Sequence, residues 1–141
     1  MGVQSIRFFD TGKCEPSYRK SKLWSTGEAE RLLRRGAEQA FCTRIPNLKL
    51  GTTLLETLEK LTPKGARLAL DNYESTEQLG RQTILGAPIT LAVGGERGWD
   101  NKERDALRAS GFTLVDIGSR VLRTETASIA GISIIRSILA A

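Results

Sequence analysis

Twice in its second half the chain runs from an apolar segment through glycine into a helical pattern, and this arrangement constrains the fold more than any other feature. Residues 89–93 (ITLAV) are continuously apolar, the pattern of a strand covered on both faces. They lead through Gly94-Gly95-Glu96-Arg97-Gly98 into a helix expected from Asp100 to about Ser110. Residues 112–117 form a second strand, followed by Gly118 and a helix over residues 124–141. Asp100 and Glu103 have capping-box spacing, and Gly111 stands where a helix C-terminus calls for glycine. Strands alternating with helices predict an α/β fold whose mostly parallel sheet is flanked by helices. At 141 residues the chain fits one domain, residues 1–141, with a core that needs no staples. The last helix carries Ile129, Ile132, Ile134, Ile135, Ile138 and Leu139 over more than a narrow stripe, so it is expected to be largely buried or to sit in a subunit interface.

The first half reads less regularly. Residues 3–9 suggest a strand, and residues 10–22 a polar loop. A helix is expected over 26–42 with Thr26 as N-cap and Ala29, Leu32, Leu33, Ala37, Ala40 and Phe41 at helical spacing. Pro46 stops it. A second helix is expected over 52–61, with Leu54, Leu55, Leu58 and Leu61 on one side. A turn over 62–65, a strand over 66–70 and a polar stretch over 71–87 follow, with a helical turn at 74–79.

Composition excludes several chemistries. There is no His, so a Ser-His-Asp triad, a Cys-His pair and an HExxH zinc site are ruled out. Two Cys, 28 positions apart, cannot complete a four-ligand zinc site alone. No apolar run reaches the ~18 residues of a membrane span, and no signal-peptide core is visible, so the expected address is the cytoplasm. Charge is lopsided: residues 1–70 carry 13 Lys+Arg and 7 Asp+Glu, residues 71–141 carry 8 and 9. A basic half suggests a polyanion partner such as RNA, or only a solvated basic surface.

Three stretches carry candidate chemistry. The loop 94–98 leaves a strand and enters a helix, where open α/β sheets bind ligands. It is neither a Walker A loop nor GxGxxG. Glu96 and Asp100 would repel a phosphate and suit a cationic ligand such as S-adenosylmethionine; the glycines also fit a tight turn without a ligand. In residues 117–127, Gly118 permits close backbone approach and Arg123 offers a guanidinium, while Thr124 and Glu125 fit a site or a helix cap alike. Glu38-Gln39 with Arg44-Ile45-Pro46 is either a third site or a solvated helix end. Tyr18 and Trp24 bracket Arg19, Lys20 and Lys22, an arrangement able to hold RNA by phosphate contact and stacking, with Trp24 equally a core anchor.

The run LAVGGERGWDNKERDALRASGFTLVDIGSRVLRTETA resembles the C-terminal domain of the 16S ribosomal-RNA uridine-N3 methyltransferase family of the SPOUT superfamily. LRTETA (122–127) after a GGERGW loop carries the resemblance most specifically; AEQAFCTRIP (37–46) and GVQSIRFFDTGKC (2–14) are similar to earlier family segments. The chain departs from the pattern where Gly95 replaces the Pro before Glu96, Lys13 an arginine, and Cys42 another arginine.

The resemblance implies a homodimer with a C-terminal trefoil knot and S-adenosylmethionine as methyl donor, with no metal. It places Leu70 and the turn that follows it, Gly94, Glu96, Gly98, Ile117, Gly118, Leu122 and Thr124 around the donor. Arg123, Glu125 and Arg44 would serve catalysis, and Lys13, Arg19 and Lys20 would hold ribosomal RNA of the small subunit. It further implies a domain that is N-terminally short and lacks the family's RNA-binding barrel. The alternative is a non-catalytic RNA- or ribosome-binding dimer that keeps the knotted fold.

Overall fold

The computed structural model describes residues 1–62, 64–80 and 87–140. Pro63 of the expected 62–65 turn, residues 81–86 of the polar stretch and Ala141 of the last helix lie outside the described residues. In chain order the elements are β1 (Ser5–Asp10), α1 (Pro16–Arg19), α2 (Lys22–Ser25), α3 (Glu28–Gln39), β2 (Asn47–Thr53) and α4 (Leu54–Glu59). Then follow β3 (Ala66–Leu70), β4 (Glu77–Gln78), β5 (Ile89–Val93), α5 (Asn101–Ala109), β6 (Thr113–Asp116) and α6 (Thr124–Ala140).

The second half builds as its alternation predicts. A four-stranded sheet has the order β4-β6-β3-β5, every pair parallel. The period-2 geometry of a strand divides its core. On one face Leu68, Leu70 and Val115 meet Ile135 of α6; on the other, Ala69 and Leu114 meet Trp99, Leu107, Phe112 and the α4 residues Leu54 and Leu58. Gly131 lets α6 lie close to the sheet: a Cβ there would stand 3.1 Å from the Leu91 side chain and 3.2 Å from that of Leu70. Helix α5 carries the expected capping box, with Asp100 accepting from the Glu103 backbone and Glu103 from that of Asp100, each at 2.8 Å. Gly111 takes a positive φ and donates to Arg108 O, which ends the helix.

Several expectations are corrected. The run 89–93 packs on both faces, Ala92 against one core cluster and Ile89, Leu91 and Val93 against the other, but as the edge strand β5, paired among the described residues with β3, it is half-buried throughout. The polar segment 10–22 contains α1 and the start of α2, two single turns, the first begun by Pro16. Thr26 is no N-cap: its hydroxyl donates back to Lys22 O and closes α2, leaving Gly27 to start α3. Helix α4 begins only at Leu54, capped by the Thr53 hydroxyl, because residues 47–53 form β2, a strand that the sequence pattern does not reveal. The helical turn expected at 74–79 is instead an extended segment in which β4 joins β6, with Ser75 donating to Asp116.

The first half forms a separate two-stranded parallel sheet, β1 with β2. Of the apolar positions on α3 only Ala29 is buried; Leu32 is exposed, and Phe41, at φ 49°, is fully so. Trp24 is half-buried in α2, its ring 4.9 Å from that of Phe8. The first half joins the second through Gly12 N, which donates to Glu103 Oε1 at 2.8 Å, and through Phe9, stacked on Trp99.

Candidate functional site

Parallel strands open all their C-terminal ends on one edge of a sheet. Here β3, β5 and β6 each deliver a loop to that edge: 71–73 after β3, 94–99 after β5 and 117–122 after β6. The three loops converge on one cavity of about 130 Å³. Leu70, Val93, Ile117, Val121, Leu122 and Trp99 give it apolar walls; Asp71, Glu96 and Arg97 bring charge.

Side chains fasten the loops to one another. Trp99, fully buried, donates from Nε1 to Leu70 O at 3.0 Å. Asn72 reaches across to the third loop and donates from Nδ2 to Gly118 O at 2.9 Å and to Arg120 O at 3.3 Å. Thr124 Oγ1 donates to Gly94 O at 3.3 Å, so the start of α6 is held to the glycine loop. Within the loops, Gly98 N donates to Gly95 O, Tyr73 N to Asp71 and Gly118 N to Asp116.

Glycine has two uses here. Gly98 (φ 64°) and Gly118 (φ 129°) adopt conformations that a side chain disfavours. At both, the space a Cβ would enter is open to 4 Å. Gly94 does the opposite: a Cβ there would stand 3.3 Å from Gly98 Cα and from the Trp99 ring, so any side chain would press the loop against its own backbone.

Beside the cavity lies an ion pair. The Asp71 carboxylate accepts from Arg104 of α5, and both residues are buried, at 5% and 6% exposure. That hydrogen bond holds the Arg104 guanidinium above its ordinary range. Arg104 also lies 5.7 Å over the Tyr73 ring, and Glu74 joins it to Arg108.

The predicted site residues separate into groups. Leu70, Gly94, Glu96, Gly98, Ile117, Leu122 and Thr124 all line the cavity. Gly118 is outside its lining but accepts the Asn72 bond that closes one side. Arg123 and Glu125 are exposed beside the lining residues Leu122 and Thr124. Arg44 is exposed in the segment between α3 and β2, away from the strand-end cavity's lining. Lys13 donates to Trp99 O at 3.0 Å, so its ammonium is engaged by the glycine loop. Arg19 pairs with Asp10 at 2.6 Å, and Lys20 is exposed at the end of α1. Tyr18 donates to Glu96 Oε1 at 3.1 Å, and that bond raises the phenol above its ordinary range.

Asp100, read with Glu96 as a pair facing a cationic ligand, is consumed by the helix cap; the carboxylates of the cavity are Glu96 and Asp71. The lining also takes in Asp71, Asn72 and Tyr73, the turn after Leu70 that the resemblance places there, and Trp99, Val121 and Ala127, to which the sequence pattern does not point. Among the described residues no group of three or more His, Cys, Asp or Glu side chains could hold a metal, and no helix is long and apolar enough to cross a membrane.

Against this geometry the likenesses to known proteins can be set. Residues 1–136 match the family described as RNA methyltransferase domain. The chain is 33% identical over 140 residues to the ribosomal RNA small subunit methyltransferase E of Treponema pallidum, covering 96% of this chain and 53% of that protein. It is 32% identical to methyltransferase E 1 of Borreliella burgdorferi, covering 92% and 55%. The chain thus spans about half the length of the curated relatives it matches. Among solved structures it superposes on a Legionella pneumophila methyltransferase in complex with the cofactor SAM, with TM-score 0.82, 26% identity and 96% and 56% coverage. It does likewise on the ribosomal RNA small subunit methyltransferase E of Neisseria gonorrhoeae bound to S-adenosyl methionine, with TM-score 0.83, 25% identity and 97% and 56% coverage.

Proposed function

Because this chain belongs to the RNA methyltransferase domain family, we propose that it methylates N3 of a uridine in small-subunit ribosomal RNA, with S-adenosylmethionine as donor. The observation that carries this reading is the convergence of three strand-end loops on one cavity, fastened by Trp99, Asn72 and Thr124. The cavity suits the donor chemically. Its apolar walls fit an adenine, its folded loops present backbone groups to a ribose, and the glycines leave open space where side chains would intrude. Glu96 adds a carboxylate for a cationic ligand. Leu70, Gly94, Glu96, Gly98, Ile117, Gly118, Leu122 and Thr124 are the residues that would hold it.

The bound donor supplies an electrophilic methyl carbon on a sulfonium sulfur. The protein's task is to hold a uracil ring, out of its stack, with N3 in line with that carbon. N3 carries a proton at neutral pH, so the ring must become anionic. Arg123, exposed at the cavity rim without an ion-pair partner among the described residues, stabilises that anion. Glu125, one residue past Thr124, receives the proton. Lys13, Arg19 and Lys20 hold the RNA backbone. The protein acts in the cytoplasm as a homodimer through α6, which leaves Ile129 and Leu139 exposed. In the same reading α6 completes a trefoil knot.

The test is transfer of a labelled methyl group to small ribosomal subunits. Arg123→Ala is expected to lower kcat about 100-fold or more, the effect of deleting one group that stabilises developing negative charge, with donor affinity by calorimetry unchanged. Undiminished turnover removes Arg123 from the reaction. One observation favours the second reading, a non-catalytic RNA- or ribosome-binding dimer. Lys13, standing where the family has an arginine, is spent on Trp99 O and so braces the loop. Donor binding without methyl transfer to any ribosomal substrate would establish that reading.

A further inference from the structure

The two-stranded sheet carries a charge arrangement that its own stability does not explain. Arg7 of β1 and Lys49 of β2 are register partners, side by side on adjacent strands. Like charges placed so destabilise a sheet. Neither side chain has a hydrogen bond or ion pair among the described residues, although Arg7 is half-buried. Lys60, at the C-cap of α4, adds a third cation, its side chain equally without a partner. With Leu50, Gly51, Glu56 and Thr57 these three line a cavity of about 290 Å³, more than twice the size of the one at the strand ends and sharing no residue with it. The one carboxylate there, Glu56, already accepts from the Thr52 hydroxyl. Three cations face one engaged acid in a concave space.

We propose that this cavity is a phosphate-binding site whose occupant is the sugar-phosphate backbone of an RNA. An anionic phosphate relieves the Arg7–Lys49 repulsion, and a guanidinium beside two ammonium groups is the donor set that positions a nucleic-acid backbone without reading its sequence. The cavity lies in the half of the chain that carries 13 Lys+Arg against 7 Asp+Glu. It is a docking point apart from the donor cavity and does not depend on methyl transfer.

The experiment uses the full chain, a fluorescent single-stranded RNA oligonucleotide and, separately, inorganic phosphate. The double variant Arg7→Gln/Lys49→Gln should weaken RNA binding, and the slope of log K against log salt should fall by about 1.4, near 0.7 for each phosphate no longer neutralised. Lys60→Gln alone should lower the slope by about 0.7 on the same rule. S-adenosylmethionine binding by calorimetry should not change. In urea the double variant should be at least as stable as the parent, since it loses a repulsion; a lower midpoint assigns the cations a structural role and overturns the proposal. If inorganic phosphate binds the parent, fails to bind the double variant, and RNA binding stays the same, the site takes free phosphate and the RNA assignment fails. If neither ligand distinguishes parent from variants, there is no site.

Discussion

The two halves of the molecule use apolar residues in opposite ways. From β3 onward they are enclosed: Leu68, Ala69, Trp99, Leu107, Leu114 and Val115 are all but inaccessible, and two helix layers cover the sheet. Before β3 only Ala29, Leu54 and Leu58 among the described apolar residues are buried, the two leucines by packing into the core of the second half, while Phe8, Leu32, Phe41, Ile45, Leu50 and Leu55 are exposed. The difference is architectural. A strand with neighbours on both sides and a helix on each face has nowhere to leave a side chain uncovered, whereas a two-stranded sheet beside one amphipathic helix cannot enclose its own surface.

This contrast can be broken by measurement. Trp99→Ala, which removes the largest enclosed side chain and the bond to Leu70 O, should cost about 3–5 kcal/mol in urea unfolding and abolish donor binding. Asp71→Asn should cost about 3 kcal/mol by leaving the Arg104 guanidinium buried with Glu74 as its remaining carboxylate neighbour; a smaller loss would mean that Glu74 can take over the pairing. Asp100→Ala, which deletes one side of the capping box, should cost about 1 kcal/mol, read as a lower urea midpoint with the slope unchanged. Leu32→Ser and Leu55→Ser should stay within about 0.5 kcal/mol of the parent. If either of these last two costs as much as Trp99→Ala, the first half has an enclosed core and the contrast falls.

The same contrast explains what is legible from sequence. Strands 66–70 and 89–93 can be read residue for residue, because short, mostly apolar runs, with Arg67 their one charged residue, bounded by glycine or polar turns have few alternatives. The cap of α5 is legible from Asp100 and Glu103, since a capping box needs only residues three apart. Strand β2 is not: Leu48 and Leu50 alternate with polar residues for too short a stretch, and the leucines after Thr53 extend a helical pattern backwards over it. Thr26 misleads because a threonine before Glu28 fits an N-cap as well as it fits the end of the preceding turn. At the cavity, the lining glycines 94 and 98 and the neighbouring Gly118 announce themselves. Asp71, Asn72 and Trp99 do not, since their partners lie 33, 46 and 29 residues away and no local spacing encodes such pairings.

Of the chain's two tryptophans, one lies in each half. Trp99 is sealed into the wall of the strand-end cavity with its indole N–H bonded, while Trp24 sits half-covered against Phe8. Their emission should therefore differ in colour, Trp99 the bluer. A Trp24→Phe variant would leave a single fluorophore reporting ligand entry at the strand ends, and Trp99→Phe one that senses only events on the basic surface, so the protein carries two intrinsic optical probes that can be read one at a time.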